Sequence, residues 1–321
     1  MADRTETPVP PVGTAAVVHP EPSVSPGVRR ITVDTGSVTL SGLRSDPPQG
    51  PPRSLVVALH GGGTSAGYFD GQAHPDLSLL TLGARLGHRV VALDRPGYGA
   101  SATELPDGRT LLEQAADLAS AVRQLTRAET VGGGVLLLGH SFAGKLALTL
   151  AARHAPDDLL GVDVSGCGTR LAVPPGQVRH DRNVRRLNWG PLGLYPPGTF
   201  QAAATVVAPM PTREADCVGA WEQLSAEVLP RVRVPVRLTF AEHEAWWRHG
   251  DDDIADMVAR LAAAPRVTVD RMPGAGHNIS LGWAARAYHL RVLAFAEECL
   301  TGAADRAVPG SAVPTGAAPP A

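Results

Sequence analysis

An aliphatic stretch, Val135 to Leu138, runs directly into Gly139, His140, Ser141, Phe142, Ala143 and Gly144, and a helical pattern follows at once from Lys145 to His154. A serine on a sharp strand-to-helix turn has its Oγ thrust out of the sheet, and small residues two positions to either side let strand and helix approach closely. The helix N-terminus then lies beneath the carbonyl that the serine would attack. Its free N–H groups and dipole favour the negative charge that develops there. The alternative for this spacing is an ordinary glycine-rich turn. A strand on one side and a helix on the other favour the nucleophile, so Ser141 is the first candidate catalytic residue.

Placing such a serine requires a sheet. Eight short aliphatic or β-branched runs predict strands: Arg30 to Val33, Ser37 to Leu43, Ser54 to Leu59, Arg89 to Leu93, Val135 to Leu138, Leu159 to Val164, Pro235 to Phe240 and Arg266 to Val269. From the third onward each is followed by a helix-length stretch or a long insertion; Thr110 to Arg127, for example, sets Leu111, Leu118, Val122 and Leu125 on one face. Two early strands followed by repeated β-α units imply an α/β fold with a mostly parallel eight-stranded sheet flanked by helices. Residues 168–231 break that rhythm and read as an inserted lid within a domain spanning 29–300. Residues 1–28 and 301–321 are rich in Pro, Gly and Ala and predict disordered tails.

Composition excludes several other classes. In a chain of 321 residues, 29 basic groups face 31 acidic ones for a net charge of −2, so no global field attracts nucleic acid or anionic lipid. Cys167, Cys217 and Cys299 have no metal-knuckle spacing and are odd in number, which fits a reducing cytoplasm better than a disulfide framework. No apolar run approaches a membrane span, and the first residues lack an export signal's apolar core. Lys145 is the sole lysine, a skew attributable to coding composition.

With this elbow and alternation, the chain resembles the α/β-hydrolase fold family over about residues 30 to 300. Leu59-His60-Gly61-Gly62-Gly63-Thr64 is similar to that family's H-G-G-G element, which implies an oxyanion hole made by the N–H groups of Gly62 and Phe142. Leu93-Asp94-Arg95-Pro96-Gly97-Tyr98-Gly99-Ala100-Ser101, closing the fourth strand, resembles the family's D-x-x-G-x-G-x-S turn, a structural element without a catalytic role. Met272 to Asn278 follows the last strand, where a loop can carry an imidazole over the serine, so the resemblance makes His277 the general base. The triad acid is assigned to Glu244, after the seventh strand. Asp163 in the sixth strand is the alternative acid, and Glu242 and Asp251 to Asp253 are weaker rivals. The elbow serine and the absence of an H-G-x-P proline disfavour dehalogenase and epoxide hydrolase chemistry.

The resemblance therefore implies a serine esterase or thioesterase that forms an acyl-enzyme, with no metal and no cofactor. The second reading is a hydrolase-fold lyase, eliminating or cyclising enzyme of a biosynthetic pathway that uses Ser141 and His277 as an acid/base pair. In the lid, Arg182, Arg185 and Arg186, with Arg170 and Arg179, form a basic stretch that could meet an anionic acyl substrate or an acyl carrier protein; its bland reading is a solvated face. Trp189, with Leu192, Leu194, Tyr195 and Phe200, could line an acyl pocket or simply pack the lid.

Overall fold

The computed structural model describes residues 23–174 and 184–307, without the side chains of residue 185 and residues 304–307. Eight strands form one sheet: β1 (Val28–Asp34), β2 (Thr39–Ser45), β3 (Leu55–Leu59), β4 (Arg89–Leu93), β5 (Val135–His140), β6 (Leu159–Ser165), β7 (Val236–His243) and β8 (Val267–Gly276). Their spatial order is β1-β2-β4-β3-β5-β6-β7-β8. β1 and β2 pair antiparallel, as do β2 and β4, and every other neighbour is parallel. All eight strands expected from the sequence are present, with ends shifted by at most three residues except in β8, which runs seven residues further than expected and takes in Met272 to Gly276 of the stretch expected to follow it.

The nine α-helices of the described residues are α1 (Leu79–Arg85), α2 (Leu111–Ala128), α3 (Phe142–Arg153), α4 (Val184–Trp189), α5 (Thr199–Ala203), α6 (Thr212–Cys217), α7 (Trp221–Val228), α8 (Asp251–Arg260) and α9 (Ala285–Ala307). Two cores sandwich the sheet. Leu55, Val57 and Leu59 of β3 join α2, α3, α7 and α8 on one face, while Val56 and Ala58 join α1 and α9 on the other. This is the period-two alternation of a strand buried on both sides. β3, β4, β5 and β6 are buried along their whole length, and each large aliphatic side chain so buried contributes roughly 1.5–3 kcal/mol relative to exposure. α2 begins at a capping box in which the Thr110 hydroxyl receives the Glu113 N–H and the Glu113 carboxylate receives the Thr110 N–H.

The domain outruns the expected boundaries at both ends. Ser25 N–H donates to Asp70 Oδ2 (2.9 Å), Val28 opens β1, and α9 continues through Ala307, with Leu300 and Ala303 packed against the second core. The remainder of the expected tails, residues 1–22 and 308–321, lies outside the described residues. Between β6 and β7, α4, α5 and α6 border the cavity at the C-terminal ends of the parallel strands, while α7 packs beside α3 on the face of the sheet.

Asp163, the alternative acid, is occupied elsewhere. It sits in β6 opposite Arg237 of β7, whose Nη1 donates to its Oδ2 at 2.7 Å, and both side chains are buried. Arg237 also donates to Asp270 of β8, from Nε at 3.1 Å and from Nη2 at 2.5 Å. A carboxylate in the middle of a parallel sheet persists because of that partner, and removing one member leaves a buried charge. Arg237→Met alone should therefore lower the free energy of urea unfolding by about 3–5 kcal/mol. Pairing it with Asp163→Leu should recover most of the loss, and equal unfolding curves for the single variant and the native chain would contradict this account.

Candidate active site

Ser141 stands where β5 gives way to α3, with φ 55° and ψ −116°, and it is the sole non-glycine with positive φ among the described residues. That conformation costs of order 1–3 kcal/mol and persists only where the surroundings over-determine it. Here they do: Ser141 N–H donates to Ser165 O of β6 (2.8 Å), and Gly144 N–H closes the turn onto Ser141 O (2.9 Å). A Cβ on Gly139 would lie 2.2 Å from Ala143 O, so only glycine admits the helix that close to the strand.

His277 and Glu244 converge on this serine. His277 follows β8, Glu244 follows β7, and the two strands pair out to Gly276 and His243. His277 Nδ1 lies 2.7 Å from Glu244 Oε2, and Nε2 lies 3.0 Å from Ser141 Oγ. The carboxylate can only accept, so Nδ1 carries the proton and Nε2 presents its lone pair to the serine hydroxyl. Glu244 Oε1 accepts from Trp246 N–H (2.8 Å), so both carboxylate oxygens are held. The remaining acids lie elsewhere. Glu242 Oε2 accepts from Gly274 N–H (2.7 Å), and Asp251 to Asp253 form the first turn of α8, with Asp251 paired to Arg271 at 2.6 Å.

Gly62 and Phe142 face the same space. Phe142 opens α3, so its N–H has no acceptor within the helix. The loop of Gly61 and Gly62 is held from behind by Arg95, which is fully buried: Nε donates to His60 O (2.8 Å) and Nη2 to Gly61 O (3.0 Å). The same guanidinium forms a two-point pair with Glu214 of α6, at 2.6 and 2.9 Å, and Nη1 reaches Gln114 Oε1 at 2.7 Å. Tyr98 Oη donates to Glu214 Oε1 (2.8 Å) and accepts from Gly63 N–H (3.0 Å). Burial, reinforced by Arg95, holds His60 well below the usual histidine range. His140, stacked on Tyr68, is pushed down by burial and by His277. Both stay neutral, so His60 and His140 bring no cationic charge to the serine.

The serine opens into a cavity of about 490 Å³ lined by Gly62, Lys145, Trp189, Met210, Trp246 and Trp247 among others. Trp189 packs edge-on against Tyr195 and Phe200 and so lines the cavity and anchors the insertion at once. Of the arginine stretch, Arg186 is exposed and absent from the lining, Arg182 lies outside the described residues, and so does the side chain of Arg185. Sequence reasoning passed over Asn188, whose Oδ1 accepts from Trp246 Nε1 (2.7 Å) and whose carbonyl accepts from Asn278 N–H (3.1 Å), tying α4 to the loop that bears His277. It also passed over Lys145, although a lone lysine one helical turn after the serine was a visible signal.

Gly166 makes the imidazole–carboxylate pair possible. It sits at φ +57°, and a Cβ there would stand 3.0 Å from His277 Cε1 and 3.2 Å from Glu244 Oε2. Gly166→Ala should displace the ring and slow modification of Ser141 by a fluorophosphonate about 10²-fold, the usual effect of an ångström-scale misplacement. Mass spectrometry of the labelled chain over time checks this, and an unchanged rate would show that the pair tolerates the added methyl.

Residues 56–289 match the sequence profile of the alpha/beta hydrolase family. No curated protein matches the chain in sequence. Among solved structures it is similar to a highly thermostable carboxyl esterase from Bacillus coagulans (TM-score 0.65, 14% identity, 86% of this chain and 100% of that one). It is also similar to a lipase-esterase related protein from Clostridium acetobutylicum (0.58, 16%, 84% and 99%) and to the thioesterase domain of the curacin biosynthetic pathway (0.57, 19%, 83% and 99%). At these identities the structures speak for the fold alone. The matched profile covers most of the chain and the sheet order agrees with it: the protein belongs to the alpha/beta hydrolase family.

Proposed function

We propose that the protein cleaves a carboxylic ester or thioester through an acyl-enzyme on Ser141. The observation that carries this reading is the unbroken hydrogen-bonded line from Ser141 Oγ through both ring nitrogens of His277 to Glu244, opening into the cavity. Ser141 Oγ attacks the substrate carbonyl as its proton passes to His277 Nε2. Glu244 holds the ring and stabilises the imidazolium. The N–H groups of Gly62 and Phe142 receive the oxyanion. The imidazolium then protonates the departing alcohol or thiol, and water repeats the sequence on the acyl-serine, with His277 again taking the proton. The esterases and the thioesterase among the similar structures support this class of substrate without naming one.

Since such residues act as a unit, Ser141→Ala should lower kcat on an activated ester by about 10⁴ to 10⁶ and abolish covalent labelling by a fluorophosphonate, with the fold retained. Glu244→Gln should lower kcat by about 10⁴ while Ser141 stays in place, because the imidazole loses its orienting acceptor. Burst kinetics with p-nitrophenyl acetate and circular dichroism of each variant check both. Activity of Ser141→Ala within tenfold of the native enzyme would remove the acyl-enzyme from the mechanism.

A further inference from the structure

Lys145 is the one lysine of the chain, it is 2% exposed, and it lines the same cavity as Ser141. Nothing in the acyl-transfer steps uses it. Its Nζ stands 4.7 Å from the ring centre of Phe142 and 5.3 Å from that of Trp247, between two aromatic faces that attract a cation. Among the described residues no carboxylate forms an ion pair with it. The acid whose field reaches it, Glu214, already accepts from Arg95, Tyr98 and Gln114. A buried ammonium without a counter-ion is unfavourable, and an anion that enters the cavity relieves that cost.

We propose that Lys145 is the anion-binding group of the substrate pocket, so that the preferred substrate is a monoanionic ester or thioester, the half-ester of a dicarboxylic acid being the simplest case. This rests on the hydrolase reading for the reacting end and adds a charged second end. Lys145 lies four residues beyond Ser141, on the first turn of α3, and both side chains line the same cavity. A short dicarboxylate can therefore span from the serine to the ammonium. The surrounding groups leave the ammonium as the recognition element. Arg95 and Glu214 are paired to each other, Glu244 and His277 are paired at the serine, His60 and His140 are neutral, and burial pushes the Cys167 thiol up to about 12; Cys217 of α6 is the remaining titratable neighbour. Burial pushes Lys145 itself down to about 8, so it is charged at neutral pH and loses its proton under mildly basic conditions.

The test measures binding to the Ser141→Ala protein, which holds esters without turning them over, by calorimetry with monomethyl glutarate and monomethyl adipate against the neutral dimethyl esters. The half-esters should bind about tenfold or more tightly at pH 7, the scale of a hydrogen bond to a charged group. That preference should shrink between pH 7 and pH 10 as the amine deprotonates, and it should be absent, with no pH trend, once Lys145→Met is added. Equal binding of anion and diester at pH 7, or an anion preference that survives Lys145→Met, would overturn the proposal. The pH series on Ser141→Ala alone decides the matter if the added substitution disturbs folding. Turnover of dimethyl glutarate by the unaltered enzyme is a separate readout: its absence would count against the hydrolase reading, while the binding measurements would still decide the role of Lys145.

Discussion

A single backbone turn governs this site. At Ser141 the chain must leave β5 and enter α3 with φ positive, a conformation that an L residue holds only under constraint. The constraint comes from both sides of the turn. Gly139 and Gly61 let the helix and the β3 loop crowd against it, and Ser165 O pins its N–H. Everything that converges on the serine does so relative to this turn: Phe142 as first residue of the helix, His277 from the end of β8, Glu244 from the end of β7. Parallel strands deliver their C-terminal ends to one edge of the sheet, which explains why residues more than a hundred positions apart meet there.

Behind the turn, a second constraint joins the β3 loop to the insertion. Arg95 neutralises Glu214 and at the same time bonds the carbonyls of His60 and Gly61, so the loop that presents Gly62 and the helix that roofs it share one buried ion pair. Such a pair is weak evidence for stability, because the cost of desolvation offsets much of the attraction, but its geometry fixes which way the loop carbonyls point. Both carbonyls are turned toward the guanidinium, and Gly61 and Gly62 themselves line the cavity. The insertion is thus part of the scaffold of the site on its α6 side, and Asn188 ties it to the His277 loop on its α4 side.

These constraints also explain what could be read in advance. The strands are legible because the central ones are buried on both faces and so read as continuous aliphatic runs, and Ser141 is legible because a sharp turn demands small residues at fixed offsets. Which carboxylate meets His277 was not legible from residue types alone. Asp163 and Glu244 are both carboxylates near strand ends, and what separates them is register: β6 and β7 align Asp163 with Arg237, whereas Glu244 lies beyond the strand, beside Gly166. Register is a long-range property that local spacing does not encode. The insertion was still less legible, since its short helices are defined by what they pack on. Tyr195 and Trp221 are buried, while Phe200 and Leu192 are exposed, and no periodicity in that stretch announces the difference.

The charges of the cavity follow from the same packing. Each ionised group near the serine has its partner within the fold: Arg95 has Glu214, and Glu244 has the Nδ1–H of His277. The two histidines of the backbone motifs are neutral because burial disfavours their charged form, an effect that Arg95 reinforces at His60. Lys145 breaks the pattern, since its aromatic neighbours offer a cation a π-face and no negative charge. In a site where every other charge is matched internally, the unmatched one is the charge that a ligand can match, and a residue that composition alone would dismiss thereby becomes the part of the pocket with most to say about what enters it.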